Sequence, residues 1–107
     1  MARYTVLFDR DAEADLIAIR DYIAEVRGQV FAQDFIERIV SFCEDFADLP
    51  HRGTRRDEVL LGLRTVGWRK TVTIAFEVID DKEQLNILGV FYRGRDVFAA
   101  LRARGQR

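Results

Sequence analysis

The stretch "FYRGRDVF" (residues 91–98) sets two arginines about a glycine, with Tyr92 before them and Phe98 after. Arginine stays protonated and offers a planar fork of donors. Arg93 and Arg95 can therefore hold phosphate or carboxylate oxygens, but they cannot exchange a proton. Metal-free RNA cleavage needs more: a base for the 2′-hydroxyl, an acid for the leaving 5′-oxygen and cations for the phosphate. Histidine is the natural proton carrier near neutrality. The only one, His51, stands in a polar loop remote in the chain from these arginines, where a solvated role is expected. Tyr4 falls on a strand and Tyr22 on a helix, both expected to be structural. Tyr92 is the only tyrosine beside the basic cluster, and its alternating neighbours leave a packing role open. Lys70 is a weak base unless strongly desolvated. A nuclease built from this chain would use Lys70, Tyr92, Arg93 and Arg95, and Phe98 could only pack or stack beside them.

The same residues also suit a site that grips without reacting. Arg64, Trp68, Arg69 and Lys70 bracket an expected hairpin, and Arg93 and Arg95 follow the next strand. If those strands pair, the groups meet at one end of a sheet. There they could bind an acidic partner segment, surface carboxylates or phosphate. Trp68 in a turn region is a plausible anchor, because tryptophan is enriched at binding hot spots. Other chemistries find no support. The sequence has no glycine-rich phosphate loop, no His/Asp/Glu set at metal-ligand spacing and no convincing Ser-His pair, so neither metal nor cofactor is expected. Cys43 is the only cysteine, which rules out an internal disulfide, and it falls in an apolar helical stripe as a small buried hydrophobe. Arg56-Asp57 is expected to be a local pair, and Asp80-Asp81 a turn.

The elements that must position these groups follow from periodicity. With 107 residues, 49% hydrophobic and 33% charged, residues 1–107 make one folded domain. The formal charge of −1 conceals a division. Residues 1–48 carry 5 basic and 11 acidic side chains, whereas residues 49–107 carry 12 basic and 7 acidic. No apolar run approaches the ~20 residues of a membrane-spanning helix. The N-terminus turns acidic early without an apolar signal core, so a cytoplasmic protein is expected.

"RYTVLFD" (3–9) alternates as a strand. Asp9 or Asp11 then offers a helix N-cap, with Glu13 and Asp15 placed to favour the helix dipole. Leu16, Ile19, Ile23 and Val26 mark an amphipathic helix ending near Gly28. Phe31, Phe35, Ile39, Phe42 and Phe46 mark a second one, closed by Leu49-Pro50. A connection of about two residues folds the helices into an antiparallel hairpin. "HRGTRRDE" reads as a loop, and "VLLGLRTV" (59–66) and "KTVTIAFEVI" (70–79) as strands. "QLNILGVFY" (84–92) is apolar on both faces, as in an inner strand. "DVFAALRAR" is a short helix that can pack Val97, Phe98 and Leu101 on the sheet. The expected fold is α+β with two layers: an N-terminal strand, a helical hairpin, a three-stranded antiparallel meander and a short C-terminal helix.

This layout resembles the RelE/ParE superfamily of toxins from type II toxin–antitoxin modules. The resemblance is carried by "AEADLIAIRDYIAEVRGQVFAQDFIERI", "LPHRGTRRDEVLLGLRTV" and "WRKTVTIAFEVIDDKEQLNILGVFYRGRD". The first helix, with Asp21-Tyr22-Ile23-Ala24-Glu25, looks more like the ParE branch. That branch implies a non-enzymatic poison of DNA gyrase, neutralised in a hetero-oligomer by a cognate ParD-like antitoxin. No sequence-specific DNA binding by this chain alone is implied. The RelE branch implies ribosome-dependent mRNA cleavage instead. Cleaving relatives carry Tyr or His near the C-terminus where this chain has Phe98, which favours the ParE reading. Arg64, Trp68, Arg69, Lys70, Arg93 and Arg95 are then the candidate target- or antitoxin-binding residues.

Overall fold

The chain begins with a short strand, β1 (Thr5–Phe8), and turns at Asp9 into helix α1 (Arg10–Arg27). These features belong to a computed structural model that describes residues 3–93 and 95–105; Gly94 of the "FYRGRDVF" stretch lies outside the described residues. Asp9 occupies the N-cap position without a side-chain capping bond. Gly28 alone, at φ +88, separates α1 from α2 (Gln29–Glu44). At φ +88 and ψ 161 it adopts a backbone conformation open essentially to glycine alone, which ends one helix and lets the chain reverse at once. A 3-10 turn at Asp45–Ala47 follows, so α2 is shorter than its apolar stripe. Phe46 and Ala47 are buried from that turn rather than from the helix.

The remaining strands are β2 (Thr54–Arg55), β3 (Leu63–Trp68), β4 (Val72–Ile79) and β5 (Gln84–Tyr92), followed by α3 (Val97–Gly105). The sheet order is β1-β5-β4-β3-β2. The meander β3-β4-β5 is antiparallel as expected, and β1 joins it in parallel beside β5, which makes β5 an inner strand. Two expectations shift. The loop after Pro50 contains the short edge strand β2, paired with Arg64 and Thr65. The strand expected over 59–66 begins only at Leu63. Residues before it form a turn in which Val59 and Leu60 donate to the Arg56 carbonyl oxygen and the Gly62 N–H donates to Asp57 Oδ1. Gly62, at φ +83, closes that turn. Val59 and Leu60 are apolar because they pack beneath α3.

The main core lies between the hairpin and one face of the sheet. Ala12, Ile19 and Ile23 of α1, and Ala32, Ile39 and Cys43 of α2, meet Val72, Ile74, Phe76, Leu85, Ile87 and Val90. Val26, expected on the buried stripe, is 58% exposed at the hairpin tip, and Phe31 is 42% exposed. A smaller core on the opposite face joins Leu63, Ala75 and Phe91 to Leu101 of α3. The C-terminal helix thus adds a third layer. Val97 and Leu101 pack as expected, whereas Phe98 lies under the Arg56 guanidinium, 5.3 Å from its ring centroid.

A bulge in β5 lets one strand serve both cores. Ala75 pairs with Gly89 and Phe76 with Ile87, leaving Leu88 extra. One inserted residue inverts the alternation. Leu85 and Ile87 face the hairpin before it, and Val90 and Tyr92 face it afterwards; Leu88 and Phe91 face α3. Gly89 is required there. A Cβ would lie 2.6 Å from Phe91 Cε2 and 2.7 Å from an Arg104 Nη1 that passes beneath the backbone.

Candidate functional site

Strand register decides which candidate residues meet. Trp68 pairs with Val72, and Val72 with Tyr92, so all three stand at the same end of the sheet. Arg69 and Lys70 form the β3–β4 turn, with the Thr71 N–H donating to the Trp68 carbonyl oxygen at 3.3 Å. The Arg93 N–H donates to the Thr71 carbonyl oxygen at 2.8 Å. Trp68, Arg69, Lys70, Tyr92 and Arg93 are therefore brought together. Arg64 is not, and Arg95 joins only Tyr92 and Arg93, around a cavity of about 310 Å³ that the Arg69-Lys70 turn does not line. Arg64 pairs with Phe76, four positions or about 13 Å back along β3. Its Nη1 donates to the carbonyl oxygens of His51 and Arg52, holding that loop. Beside that cavity Arg95 Nη1 lies 3.6 Å from Asp15 Oδ1, with its guanidinium over the Phe91 ring.

The floor of the cationic end is aromatic. Phe35 of α2 meets Trp68 edge-on at 5.4 Å between centroids and Tyr92 at 5.9 Å. Tyr92 also meets Tyr22 of α1 at 6.1 Å, and Phe31 stacks on Phe35 at 6.5 Å. Trp68 and Tyr92 are only half-buried, and both pack on the main core. Tyr22, expected to be structural, is 47% exposed and forms part of this rim.

His51 is not a free loop side chain. Its Nε2 lies 2.7 Å from Asp80 Oδ1, the same oxygen that accepts the Tyr4 hydroxyl at 2.6 Å. The Tyr4 hydroxyl, with the His51 ring beside it, holds the Asp80 carboxyl below the usual range. Bonding to that carboxylate raises the Tyr4 phenol to about 12. Asp80 follows the last residue of β4, whereas the arginine cluster stands at its first. The eight residues of β4 separate them by about 23 Å. Asp80 is thus a hub joining the loop to the first strand, within the 3-10 turn Asp80–Lys82.

Two further placements differ from expectation. Asp57 pairs with Arg55 at 2.8 Å, while Arg56 Nε donates to Thr65 Oγ1. The Gly62 N–H, more than Arg55, holds the Asp57 carboxyl low. Asp15 does not serve the helix dipole. It is buried, accepts the Val90 N–H at 2.9 Å, and receives Arg104 of α3 on both oxygens at 2.8 and 2.9 Å. Those bonds raise the Arg104 guanidinium further. Asp15 was legible in principle: a carboxylate three residues after Ala12 and four before Ile19 lies on the buried face of its helix. Cys43 is buried as expected, and burial pushes its thiol up to about 12.

Among the described residues no group of three or more His, Cys, Asp and Glu side chains has the geometry to hold a metal ion. No helix there is long and apolar enough to cross a membrane.

Comparison with known proteins accords with this architecture. No individual curated protein sequence matches the chain. A chromosomal ParDE toxin–antitoxin system from P. aeruginosa contains a similar fold, at 23% identity over 85% of this chain and 97% of that one, with a TM-score of 0.73. The RelBE2 toxin–antitoxin complex from Mycobacterium tuberculosis is 25% identical over 89% of this chain and 97% of that one, with a TM-score of 0.63. A mutant of the E. coli toxin RelE in the free state is 13% identical over 98% of both chains, with a TM-score of 0.65. The family model described as the ParE toxin of the type II toxin–antitoxin system parDE matches residues 6–97. The chain belongs to the ParE family of type II toxins.

Proposed function

We propose that this toxin acts in the cytoplasm by binding and poisoning DNA gyrase, without cutting a substrate itself. We further propose that a cognate ParD-like antitoxin neutralises it within a hetero-oligomer. Family membership supports both, and one observation carries the choice against a nuclease. The only imidazole is engaged by Asp80, about 23 Å along β4 from the cluster of Arg69, Lys70 and Arg93. At that cluster Tyr92 is wedged between Tyr22 and Phe35, and the position expected to supply a proton carrier holds Phe98, which packs with Arg56. Arg95 belongs to the Asp15 network. Of the set Lys70, Tyr92, Arg93 and Arg95, the last three share one cavity, from whose lining Lys70 is absent. Trp68, Arg69, Lys70 and Arg93 are the binding residues in this reading, with Arg64 and Arg95 supporting the elements around them.

Replacing Tyr92 by phenylalanine separates the two chemistries. The ring contacts persist and only the hydroxyl is lost, so growth arrest on expression is expected to match that of the unaltered chain. Loss of toxicity with folding and antitoxin binding intact would instead make Tyr92 a proton carrier and revive ribosome-dependent mRNA cleavage.

A further inference from the structure

Strand β1 ends at Phe8, opposite Ile87, so the last residues of β5 run on without a strand neighbour on that side. Successive residues of a strand turn their backbone groups to opposite edges. The Arg93 N–H turns to β4, where it meets the Thr71 carbonyl oxygen. Those of Val90 and Tyr92 turn the other way, towards α1. Asp15 Oδ2 takes the Val90 N–H at 2.9 Å. The Tyr92 N–H is left on the open edge, beside the cavity of about 310 Å³ that α1 and β5 enclose.

The charges around that cavity do not balance. Asp15 is the carboxylate in its lining, with a side chain 7% exposed, and Arg104 engages both of its oxygens. That pair is neutral. Arg93 and Arg95 add two positive charges. Arg93 makes no ion pair among the described residues, and Arg95 has only the 3.6 Å contact with an Asp15 oxygen that Arg104 already holds. Each guanidinium rests on a ring, Arg93 over Tyr92 and Arg95 over Phe91, both at 5.3 Å. Such stacking orders the guanidinium before an anion arrives and reduces the entropy lost on binding. Arg93 also holds a left-handed backbone, at φ 48, and strain of this kind concentrates at ligand clamps. Away from the arginines the walls are apolar. Ile19 and Val90 are buried, the Tyr22 and Tyr92 rings meet at 6.1 Å, and the exposed Ala18 marks the mouth.

We propose that this cavity binds a small organic anion. A single apolar ring lies against Ile19, Val90 and the two tyrosines, and its carboxylate or phosphate is held by Arg93, Arg95 and the Tyr92 N–H. Small-ligand sites begin at about 300 Å³, so the volume suits one ring rather than a dinucleotide or a peptide helix. A cationic ligand would meet two uncompensated guanidinium groups, and a neutral one would leave them without a counter-charge. The site goes beyond the target reading above and needs neither gyrase nor antitoxin to be present.

Phenylacetate and phenyl phosphate are titrated against the purified chain by calorimetry, with phenylacetamide as the uncharged counterpart, while NMR follows the Tyr22 and Tyr92 rings. Saturable binding of at least one anion is expected, with shifts of both rings and an affinity at least about tenfold above that for phenylacetamide. The tighter of the two anions identifies the head group as carboxylate or phosphate. Arg95→Gln is expected to weaken binding about tenfold. Ala18→Phe, at an exposed helical position, is expected to fill the mouth and abolish binding while the melting temperature is kept. Arg69→Gln, outside the lining, is expected to leave the affinity unchanged. No saturable binding of either anion, equal binding of phenylacetamide, or binding indifferent to Ala18→Phe would overturn the proposal. So would a loss on Arg69→Gln as large as on Arg95→Gln, because binding would then be general attraction to the cationic end.

Discussion

Asp80 carries two bonds on one oxygen, from the Tyr4 hydroxyl and to the His51 ring, and so ties the start of β1 and the loop after α2 to the end of β4. These groups are exposed, and their coupling is visible as titration rather than as a large stability term. The phenol is raised to about 12 by its bond to Asp80, so whatever it contributes is complete below the ordinary tyrosine value of ~10 and disappears as pH rises through 12. Asp80 runs the other way: its carboxyl is held low, and its contribution is lost as pH falls through that lowered value. Asp80→Asn is expected to bring the Tyr4 midpoint, followed by NMR of its ring, back towards ~10. An unmoved midpoint would contradict the bond. The sequence indicated that Tyr4 and Asp80 are structural and left His51 in solvent. The pairing across 29 residues was illegible because neither loop has a periodicity that places it.

Asp15 connects three elements. β1 ends at Phe8, opposite Ile87, so β5 loses its parallel neighbour there. The Val90 N–H is left without a strand partner on that side, and the α1 carboxylate accepts it. Arg104 of α3 then neutralises the carboxylate across the sheet. With Asp15 at 7% and Arg104 at 17% side-chain exposure, removing the carboxylate leaves a half-buried guanidinium only the longer Asp11 contact at 3.9 Å and the Leu88 carbonyl oxygen at 3.4 Å. Asp15→Ala is expected to cost about 3 kcal/mol in urea denaturation, against little change for Arg38→Ala, whose pair with Asp34 is exposed. Equal effects would mean that the pair is not a latch. At this scale helix periodicity located both hairpin helices, alternation located β4, and a run apolar on both faces located β5. It misread 59–62, since an apolar run that packs under a helix has no strand alternation to distinguish it from one. The β5 bulge was hidden for a related reason: a strand that is apolar on both faces keeps the same pattern when its parity inverts.

Across the whole molecule the charge division in the sequence becomes spatial only in part. The cationic end draws Arg27 from the acidic half, at the hairpin tip, and leaves out Arg64 from the basic half. That regrouping depends on β3–β4–β5 register and on the hairpin reaching the same end, neither of which local sequence reveals. What the sequence did indicate was chemical: a cluster able to grip, with no imidazole beside it. The structure places Trp68, Arg69, Lys70 and Arg93 together on an aromatic floor, and places His51 at the other end of β4. The central claim is that this surface binds and does not cleave. The most direct measurement incubates the purified chain with DNA gyrase, ATP and plasmid, and in parallel with translating ribosomes and mRNA. Accumulation of gyrase-trapped, cleaved plasmid with intact mRNA is the predicted result; cut mRNA with gyrase unaffected would contradict it.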